Sequence, residues 1–345
     1  MSLTDTLVEL INIPSVTGNE EEIATALEFR LSGRRPTKRI GNALVVGEPS
    51  GKPLIAMYGH TDTVPVQDNA TASVREGTVH GLGASDMKAG LAVMVHLLED
   101  AAIAVGPYEV AGIFYDREEG PLDENGLEAV LDEVHWLSDA EFSVVLEPTD
   151  LHVEVGCNGA MNADVIFHGH AAHSARPWLG ENAITKAGAW IAGMHERQPE
   201  LFKTGGLEFR EVFSVTTAEG GIAHNIIPAR FVVNLNYRFP PTFDPDQAEE
   251  RLRAVTAGAD EVVITDRAPA GLIPEGNAHF ERLEQLVGTT EAKQGWTDVA
   301  RLSGRGIAAV NFGPGAVAQA HQATESVQVD HLDGAFGMMR RLLLP

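Results

Sequence analysis

Histidines and acidic residues of the kinds that bind metal ions recur at intervals along this chain. They stand in Gly59-His60-Thr61-Asp62-Thr63, Ser85-Asp86-Met87-Lys88, Asp116-Arg117-Glu118-Glu119-Gly120, Glu147-Pro148 and at His321. Zinc accepts histidine nitrogen and carboxylate oxygen, and an open coordination position holds water. Two ions about 3.5–4 Å apart can hold a scissile carbonyl and a nucleophilic water together. Two histidines and three carboxylates would suffice for such a pair, so the residue types predict a two-metal hydrolase.

Neighbouring acids in these motifs can take different tasks. A base is still needed to carry a proton from the water to the leaving amine. Glu118 and Glu119 could divide the work, one as base and one as ligand. In the His-x-Asp motif, Asp62 could accept the free ring N–H of His60 and fix its tautomer.

Predicted strands place most of these motifs at one edge of a sheet. Apolar runs predict strands, and two intervening stretches predict helices. The strands are Leu54–Tyr58, Glu109–Tyr115 and Phe142–Leu146, and the helices are Met87–Asp100 and Glu124–Glu133. This order predicts a mostly parallel sheet with helices on both faces. Ligands in such sheets collect outside the carboxyl ends of the strands, where four of the five motifs fall.

The middle of the chain has a different pattern, in the order β-α-β-β-α-β. Its predicted elements are Ala160–Phe167, Ala183–His195, Glu211–Thr217, Phe231–Arg238, Asp246–Thr256 and Glu261–Thr265. This order is typical of a ferredoxin-like α+β domain. We therefore predict a larger α/β domain from residues 1–156 and 268–345, with a smaller domain inserted at 157–267. Asp266–Asn277 would be the return linker, and Gly306–Phe312 a further strand.

Composition excludes several classes of partner. The 345 residues carry a formal net charge of −24, which argues against nucleic acid and against an anionic membrane surface. A small anionic substrate remains compatible, because local arginines or metal ions could hold it. The single cysteine, Cys157, cannot form an internal disulfide and indicates a reduced, cytoplasmic protein. No apolar run approaches the ~20 residues of a membrane helix, and residues 1–13 predict an amphipathic first helix.

Taken together, the ordered motifs resemble the M20 family of metallopeptidases, which includes aminoacylases, glutamate carboxypeptidases and acetylornithine deacetylase. The resemblance extends over nearly the whole chain. Besides the motifs above, it is carried by Leu146-Glu147-Pro148, His170-Ala171-Ala172-His173-Ser174-Ala175-Arg176-Pro177, His224-Asn225-Ile226-Ile227-Pro228, Trp296-Thr297-Asp298-Val299-Ala300-Arg301 and Asn311-Phe312-Gly313-Pro314-Gly315. It implies a zinc-peptidase-like, mostly parallel sheet flanked by helices, with an inserted ferredoxin-like dimerisation domain.

The resemblance also implies a set of metal ligands. His60 and Glu147 would bind one ion, Glu119 and His321 the other, and Asp86 would bridge them. The expected cofactors are two divalent ions, zinc by preference with cobalt as the alternative.

Further roles follow from the same resemblance. Asp62 would support the first histidine, Glu118 would be the general base, and His173 would reach into the active site of a partner subunit to stabilise the oxyanion. The substrate-binding candidates are Asn225, Arg238 and Arg176. We therefore expect a homodimer that acts on a small N-acyl amino acid.

Simpler interpretations of single residues stay open at this stage. Asp86 could be a helix N-cap, because Ser-Asp often begins a helix. Glu118 and Glu119 could lie in a solvated loop, Glu147 could end a strand, and His321 could be a surface histidine. Two departures from the family pattern lie close to Asp86, one before it and one after it. Gly81-Leu82-Gly83-Ala84-Ser85 lacks the arginine that usually follows the first glycine, and Ala89 replaces a usual glycine.

Overall fold

The computed structural model describes residues 1–345, which form two compact units. The larger unit comprises Met1–Val155, Ile273–Glu291 and Arg305–Pro345, and the smaller comprises Gly156–Leu272 and Ala292–Gly304. This division differs from the predicted boundaries at residues 156, 268–272 and 292–304, which cluster with the smaller unit, whereas the sequence predicts them in the larger domain.

Eleven α-helices and four short 3₁₀ segments alternate with the strands. The α-helices are α1 Leu3–Asn12, α2 Glu21–Leu31, α3 Lys88–Glu99, α4 Ala101–Ala104, α5 Gly126–Glu133, α6 Ala183–Lys186, α7 Gly188–Glu196, α8 Pro245–Val255, α9 Ala278–Val287, α10 Val299–Gly304 and α11 Val329–Leu343. The 3₁₀ segments are Leu122–Glu124, His135–Asp139, Pro177–Leu179 and Val317–Gln319. None of the helices has the length and apolar character needed to traverse a bilayer.

Sixteen strands form three sheets. The strands are β1 Thr37–Ile40, β2 Ala43–Val46, β3 Leu54–His60, β4 Ser73–Arg75, β5 Thr78–His80, β6 Glu109–Tyr115, β7 Phe142–Val145, β8 Val153–Val155, β9 Gly159–His168, β10 Glu200–Thr204, β11 Leu207–Gly220, β12 Arg230–Phe239, β13 Glu261–Ala268, β14 Thr290–Ala292, β15 Ala309–Asn311 and β16 Ser326–Gln328.

The eight-stranded sheet of the larger unit has the order β1-β2-β6-β3-β7-β15-β8-β14. Its four central strands, β6, β3, β7 and β15, run parallel. Every residue of β3 is buried, as expected for a strand covered on both faces. Helix α3 can pack against β3 because position 59 is glycine. A Cβ there would lie 2.7 Å from Leu91 and 2.8 Å from Met87. The close packing holds the His60 end of β3 against the start of α3.

The smaller unit is built on a five-stranded antiparallel sheet of order β10-β11-β12-β9-β13. Its last four strands have the order and directions expected of a ferredoxin-like domain. Inward side chains of β9 and β12, including Val165, Val233 and Leu235, form a core with Ala248 and Leu252 of α8. Asp244 and Gln247 form a capping box at the start of α8, with Pro245 in the first turn. The predicted fold class is confirmed.

Several predicted elements differ in detail from the structure. The helix predicted at Ala183–His195 is two helices, α6 and α7, which meet at Ala187. The strand predicted at Gly306–Phe312 is only Ala309–Asn311, and β13 continues into the predicted linker as far as Ala268. The first predicted helix is α1, which Ser2 and Asp5 cap at its start.

Candidate metal centre

The carboxyl ends of β3, β6 and β7 deliver most of the candidate ligands in the larger unit. His60 is the last residue of β3, while Glu119 and Glu147 follow β6 and β7 closely. Asp86 precedes α3, and His321 follows the 3₁₀ segment after β15. These five residues supply atoms to overlapping groups in which all ligand atoms lie within 4.8 Å of one another. The sequence had predicted their side of the sheet, and the structure brings all five together.

His60 is oriented by the chain just after it. Its Nδ1 lies 3.0 Å from the backbone oxygen of Asp62 and 3.4 Å from that residue's carboxylate. A backbone oxygen can only accept, so Nδ1 donates to it and Nε2 is the ring nitrogen that a metal ion could use. Nε2 lies 3.2 Å from Asp86 and 3.9 Å from Glu147. The ring therefore presents this nitrogen to the two acids with which it is predicted to share an ion.

Asp86 lies between two groups of ligands and points a different oxygen at each. Its Oδ1 is 3.2 Å from His60 Nε2, and its Oδ2 is 3.6 Å from His321 Nε2. His321 also lies 2.9 Å from Glu119 Oε1. The first group is His60, Asp86 and Glu147, and the second is Asp86, Glu119 and His321. A carboxylate shared in this way suits two ions with one bridging ligand.

The N-cap interpretation of Asp86 is wrong. Helix α3 begins at Lys88 and its N-cap residue is Met87, with no side-chain capping bond. The Glu118–Glu119 pair is not a solvated loop either, because the Glu119 side chain is only 10% exposed. His321 is the most accessible of the ligands, with its side chain 52% exposed.

Asp62 binds the turn that carries the two adjacent glutamates. Its side chain is fully buried. Its Oδ1 accepts the backbone N–H of Glu118, and its Oδ2 accepts that of Glu119, each at 3.0 Å. The Thr17 hydroxyl donates to Oδ2 at 2.9 Å. Asp62 thus positions the predicted base and a predicted ligand, a contribution beyond the predicted support of the histidine ring.

Two supporting residues were missed by sequence reasoning, Thr17 and Glu325. Glu325 is 2% exposed and accepts backbone N–H groups from the loop that ends at Asp86. Burial raises the pKa of Glu325 to about 7, although the hydrogen bonds to Asp86, Gly83 and Ser85 lower it. Nothing local in the sequence marks either residue. The one sequence feature that could have indicated Glu325 is its position, as an acidic residue four positions after His321.

The electrostatics of the cluster fit a cation. Burial lowers the pKa of His60, but contacts with Asp62, Asp86 and Glu147 outweigh it and hold that pKa well above its usual value. Burial and the nearby Asp86 raise the pKa of Glu119. Both shifts reflect an excess of negative charge in a poorly solvated space. Mixed imidazole and carboxylate donors suit zinc and similar divalent ions, so the residues present fit a metal pair.

The remaining predicted site residues belong to the smaller unit. His173 forms a β-bridge with Ile226, and the N–H of Ser174 donates to the oxygen of Asn225 at 2.9 Å. The N–H of Arg176 donates to the oxygen of His173 at 2.8 Å, so His173, Asn225 and Arg176 share one loop cluster. All three are exposed.

Arg238 stands elsewhere in the smaller unit, on β12, where its Nε donates to the Asn236 side chain at 3.1 Å. Burial lowers the pKa of Arg238, while Asp266 acts in the opposite direction. The roles of Arg238 and the loop cluster stay predictions.

Fold and cluster together define a metal-dependent amide hydrolase. The chain belongs to peptidase family M20/M25/M40, whose family model matches residues 56–344. The solved structure of Bacillus subtilis YXEP protein, 16% identical with a TM-score of 0.70, is that of a dinuclear metal binding peptidase of the M20 family.

Comparison with known proteins gives matches over nearly the full length. A Mycobacterium tuberculosis protein with the provisional name succinyl-diaminopimelate desuccinylase is 37% identical, over 97% of this chain and 96% of its own. The Corynebacterium glutamicum succinyl-diaminopimelate desuccinylase is 34% identical, over 97% and 94%. The solved structure of Bacillus cereus aminopeptidase PepT is 21% identical, with a TM-score of 0.81 over 99% and 97%. The last match supports the fold alone.

Proposed function

We propose that the chain is a succinyl-diaminopimelate desuccinylase. It hydrolyses the amide of N-succinyl-LL-2,6-diaminopimelate to give succinate and LL-2,6-diaminopimelate, a step of lysine biosynthesis. The observation that carries the proposal is the near-full-length likeness to two relatives that bear this name. The single cysteine, buried Cys157, fits a reducing compartment, and we propose a cytoplasmic enzyme.

Each residue of the cluster has a defined task in this reaction. His60 and Glu147 would hold one divalent ion, Glu119 and His321 the other, and Asp86 both. Two such ions, zinc or cobalt, supply Lewis acidity to the amide carbonyl and lower the pKa of a water to about 7. Glu118 takes the proton of the attacking water and delivers it to the leaving nitrogen. Asp62 holds the Glu118–Glu119 turn through both backbone N–H groups, which keeps the base beside the ligand.

The proposed substrate explains why a strongly acidic protein would use basic groups for binding. It carries three carboxylates and one ammonium, so Arg238 and Arg176 are suited to bind carboxylates by charge-assisted hydrogen bonds. Asn225 offers a further polar contact. His173 would stabilise the tetrahedral oxyanion in the active site of a partner subunit.

Two features of the smaller unit support a homodimer. Strand β10 pairs with β11 only from Leu207 to Glu211, and no strand covers that edge of β11 from Val212 to Gly220. Val215 and Ile222, in and just after this segment, are 40% and 87% exposed. An open strand edge with apolar neighbours readily pairs with another chain. We propose that a second copy covers it.

One experiment separates this proposal from the same chemistry on other substrates. Purified enzyme is assayed on succinyl-diaminopimelate, acetylornithine and a dipeptide, with metal content measured on the same sample. We expect the highest kcat/KM for succinyl-diaminopimelate. Preference for either of the other two would replace the desuccinylase with another deacylase or a peptidase. Absence of both bound metal and activity after zinc addition would indicate a binding protein that keeps the fold.

A further inference from the structure

A buried carboxylate that is not a ligand lies directly behind the predicted bridging ligand. Glu325 is 2% exposed and accepts three backbone N–H groups. Its Oε1 accepts those of Ser85 and Asp86, and its Oε2 accepts that of Gly83, each at 2.8 Å. All three partners are N–H donors, so both oxygens of Glu325 act as acceptors. One side chain therefore binds three backbone groups of the loop that ends at Asp86.

The same loop is tied a second time to the segment that carries His321. The Ser85 hydroxyl donates to the oxygen of Ala316 at 3.1 Å and accepts its N–H at 3.0 Å. The N–H of Gly81 donates to the backbone oxygen of Glu325 at 3.2 Å. Glu325 is the fourth residue after His321, so its contacts link the segments that carry two predicted ligands.

We propose that Glu325 is a positioning residue that sets Asp86 against His321 and so determines the affinity of the second metal position. That position is formed by Asp86, Glu119 and His321. The inference rests on the proposed ligand roles. The first position is affected less, because His60 is fixed independently by the backbone oxygen of Asp62 and by the end of β3.

The geometry explains why a carboxylate is required at position 325. Glutamine has one accepting oxygen and an NH₂ group. If its oxygen faces Ser85 and Asp86, the NH₂ group meets the N–H of Gly83, donor against donor. In the reverse orientation, two backbone N–H groups lose their acceptor. Either way a buried donor is left unsatisfied, which shifts the loop.

The test is metal binding by the Glu325→Gln variant. Metal-free protein is titrated with Co²⁺ and Zn²⁺ by calorimetry, and the visible absorption of bound Co²⁺ reports each site. We expect the second equivalent to bind about 10- to 100-fold more weakly than in the wild type. The first equivalent should change much less. Asp330→Asn, on the exposed start of α11, is the matched control and should bind both ions normally.

Kinetics give a second readout of the same variant. At limiting metal its kcat should fall while KM stays near the wild-type value, and excess metal should restore kcat. A purely structural defect would not recover in this way.

Normal binding of both ions by folded Glu325→Gln would overturn the inference. If Glu325→Gln does not fold, the test uses Glu325→Asp, which keeps the carboxylate on a shorter side chain. This variant should also bind the second equivalent of metal more weakly. Normal binding of both ions by Glu325→Asp would overturn the inference equally. Failure of the proposed function can be told apart from failure of this inference. A wild-type protein that binds two ions but does not cleave the succinyl substrate would refute the function and leave the metal-binding comparison valid.

Discussion

Substitution of Asp62 by asparagine tests how the turn that carries Glu118 and Glu119 is kept in position. The buried carboxylate accepts the N–H groups of Glu118 and Glu119 on different oxygens, and Thr17 donates to one of these. Asparagine keeps only one accepting oxygen. Whichever way its amide is turned, the NH₂ group meets the N–H of one of the two glutamates. The substitution therefore removes at least one hydrogen bond to a charged group and leaves a buried donor without an acceptor.

The expected loss can be worked from these contacts. A hydrogen bond to a charged group contributes about 1.5–3 kcal/mol. Since about 1.4 kcal/mol corresponds to a factor of ten, Asp62→Asn should lower kcat/KM by about 10- to 150-fold. Binding of the second metal ion should also weaken, because the turn positions Glu119 as well as Glu118.

The assay measures kcat/KM on succinyl-diaminopimelate together with bound metal, with Thr17→Val as the matched variant. Thr17→Val removes one hydroxyl contact to Asp62 and leaves the carboxylate and both glutamate contacts in place. Because both glutamate N–H groups keep their acceptor, kcat/KM of this variant should fall by less than the lower bound of about tenfold expected for Asp62→Asn. An Asp62→Asn enzyme with wild-type kcat/KM and two tightly bound ions would refute the reasoning.

Three further predictions concern the base, a ligand and the smaller unit. Glu118→Gln should keep both metal ions yet lose about 100- to 10,000-fold in kcat, and near-normal turnover would remove Glu118 as the base. His321→Ala should retain one ion instead of two by elemental analysis after dialysis, and two retained ions would show that this histidine is not a ligand. In the smaller unit, burial raises the pKa of Glu211, but hydrogen bonds from Arg251 and Tyr237 outweigh it and hold that pKa below its usual value. The ionised form therefore stabilises the fold above the unfolded pKa, and this contribution disappears as pH falls through the folded pKa. Glu211→Gln should lower Tm near neutral pH with a difference that shrinks in acid, and a constant difference across thermal unfolding scans would contradict this origin.

The central strands of the larger unit were predictable because each is a short apolar run with clear ends. Glu109–Tyr115 has the same bounds in sequence and structure, while β3 extends two residues past the predicted Tyr58. The extension arises because Gly59 and His60 continue the parallel ladder with β6. In contrast, β10 at Glu200–Thr204 was missed, since it lies at the edge of its sheet and has no buried residue.

The positions of the candidate ligands were predictable for a related reason. A residue within a few positions of the end of a buried parallel strand must lie near one edge of the sheet, as Glu119 and Glu147 do. Contacts that support the ligands depend instead on the docking of distant segments. Glu325 is 239 residues from Asp86, and Thr17 is 45 from Asp62. Contacts between such distant residues leave no pattern in the local sequence, so residue type and spacing could not identify them.

The charge of the cluster links its folding to its cofactors. Five buried or half-buried acids, Asp62, Asp86, Glu118, Glu119 and Glu147, carry more negative charge than two divalent cations would neutralise. Repulsion among such groups in a poorly solvated space opposes their close approach. Backbone N–H groups offset part of this cost, because they donate to the carboxylate of Asp62. In the same way, N–H groups of the loop before Asp86 donate to the carboxylate of Glu325. Two divalent ions at the proposed ligands would supply further positive charge. The proposed substrate, with three carboxylates, would meet strong repulsion at this cluster without such ions, so we expect the ions to be needed for substrate binding as well as for hydrolysis.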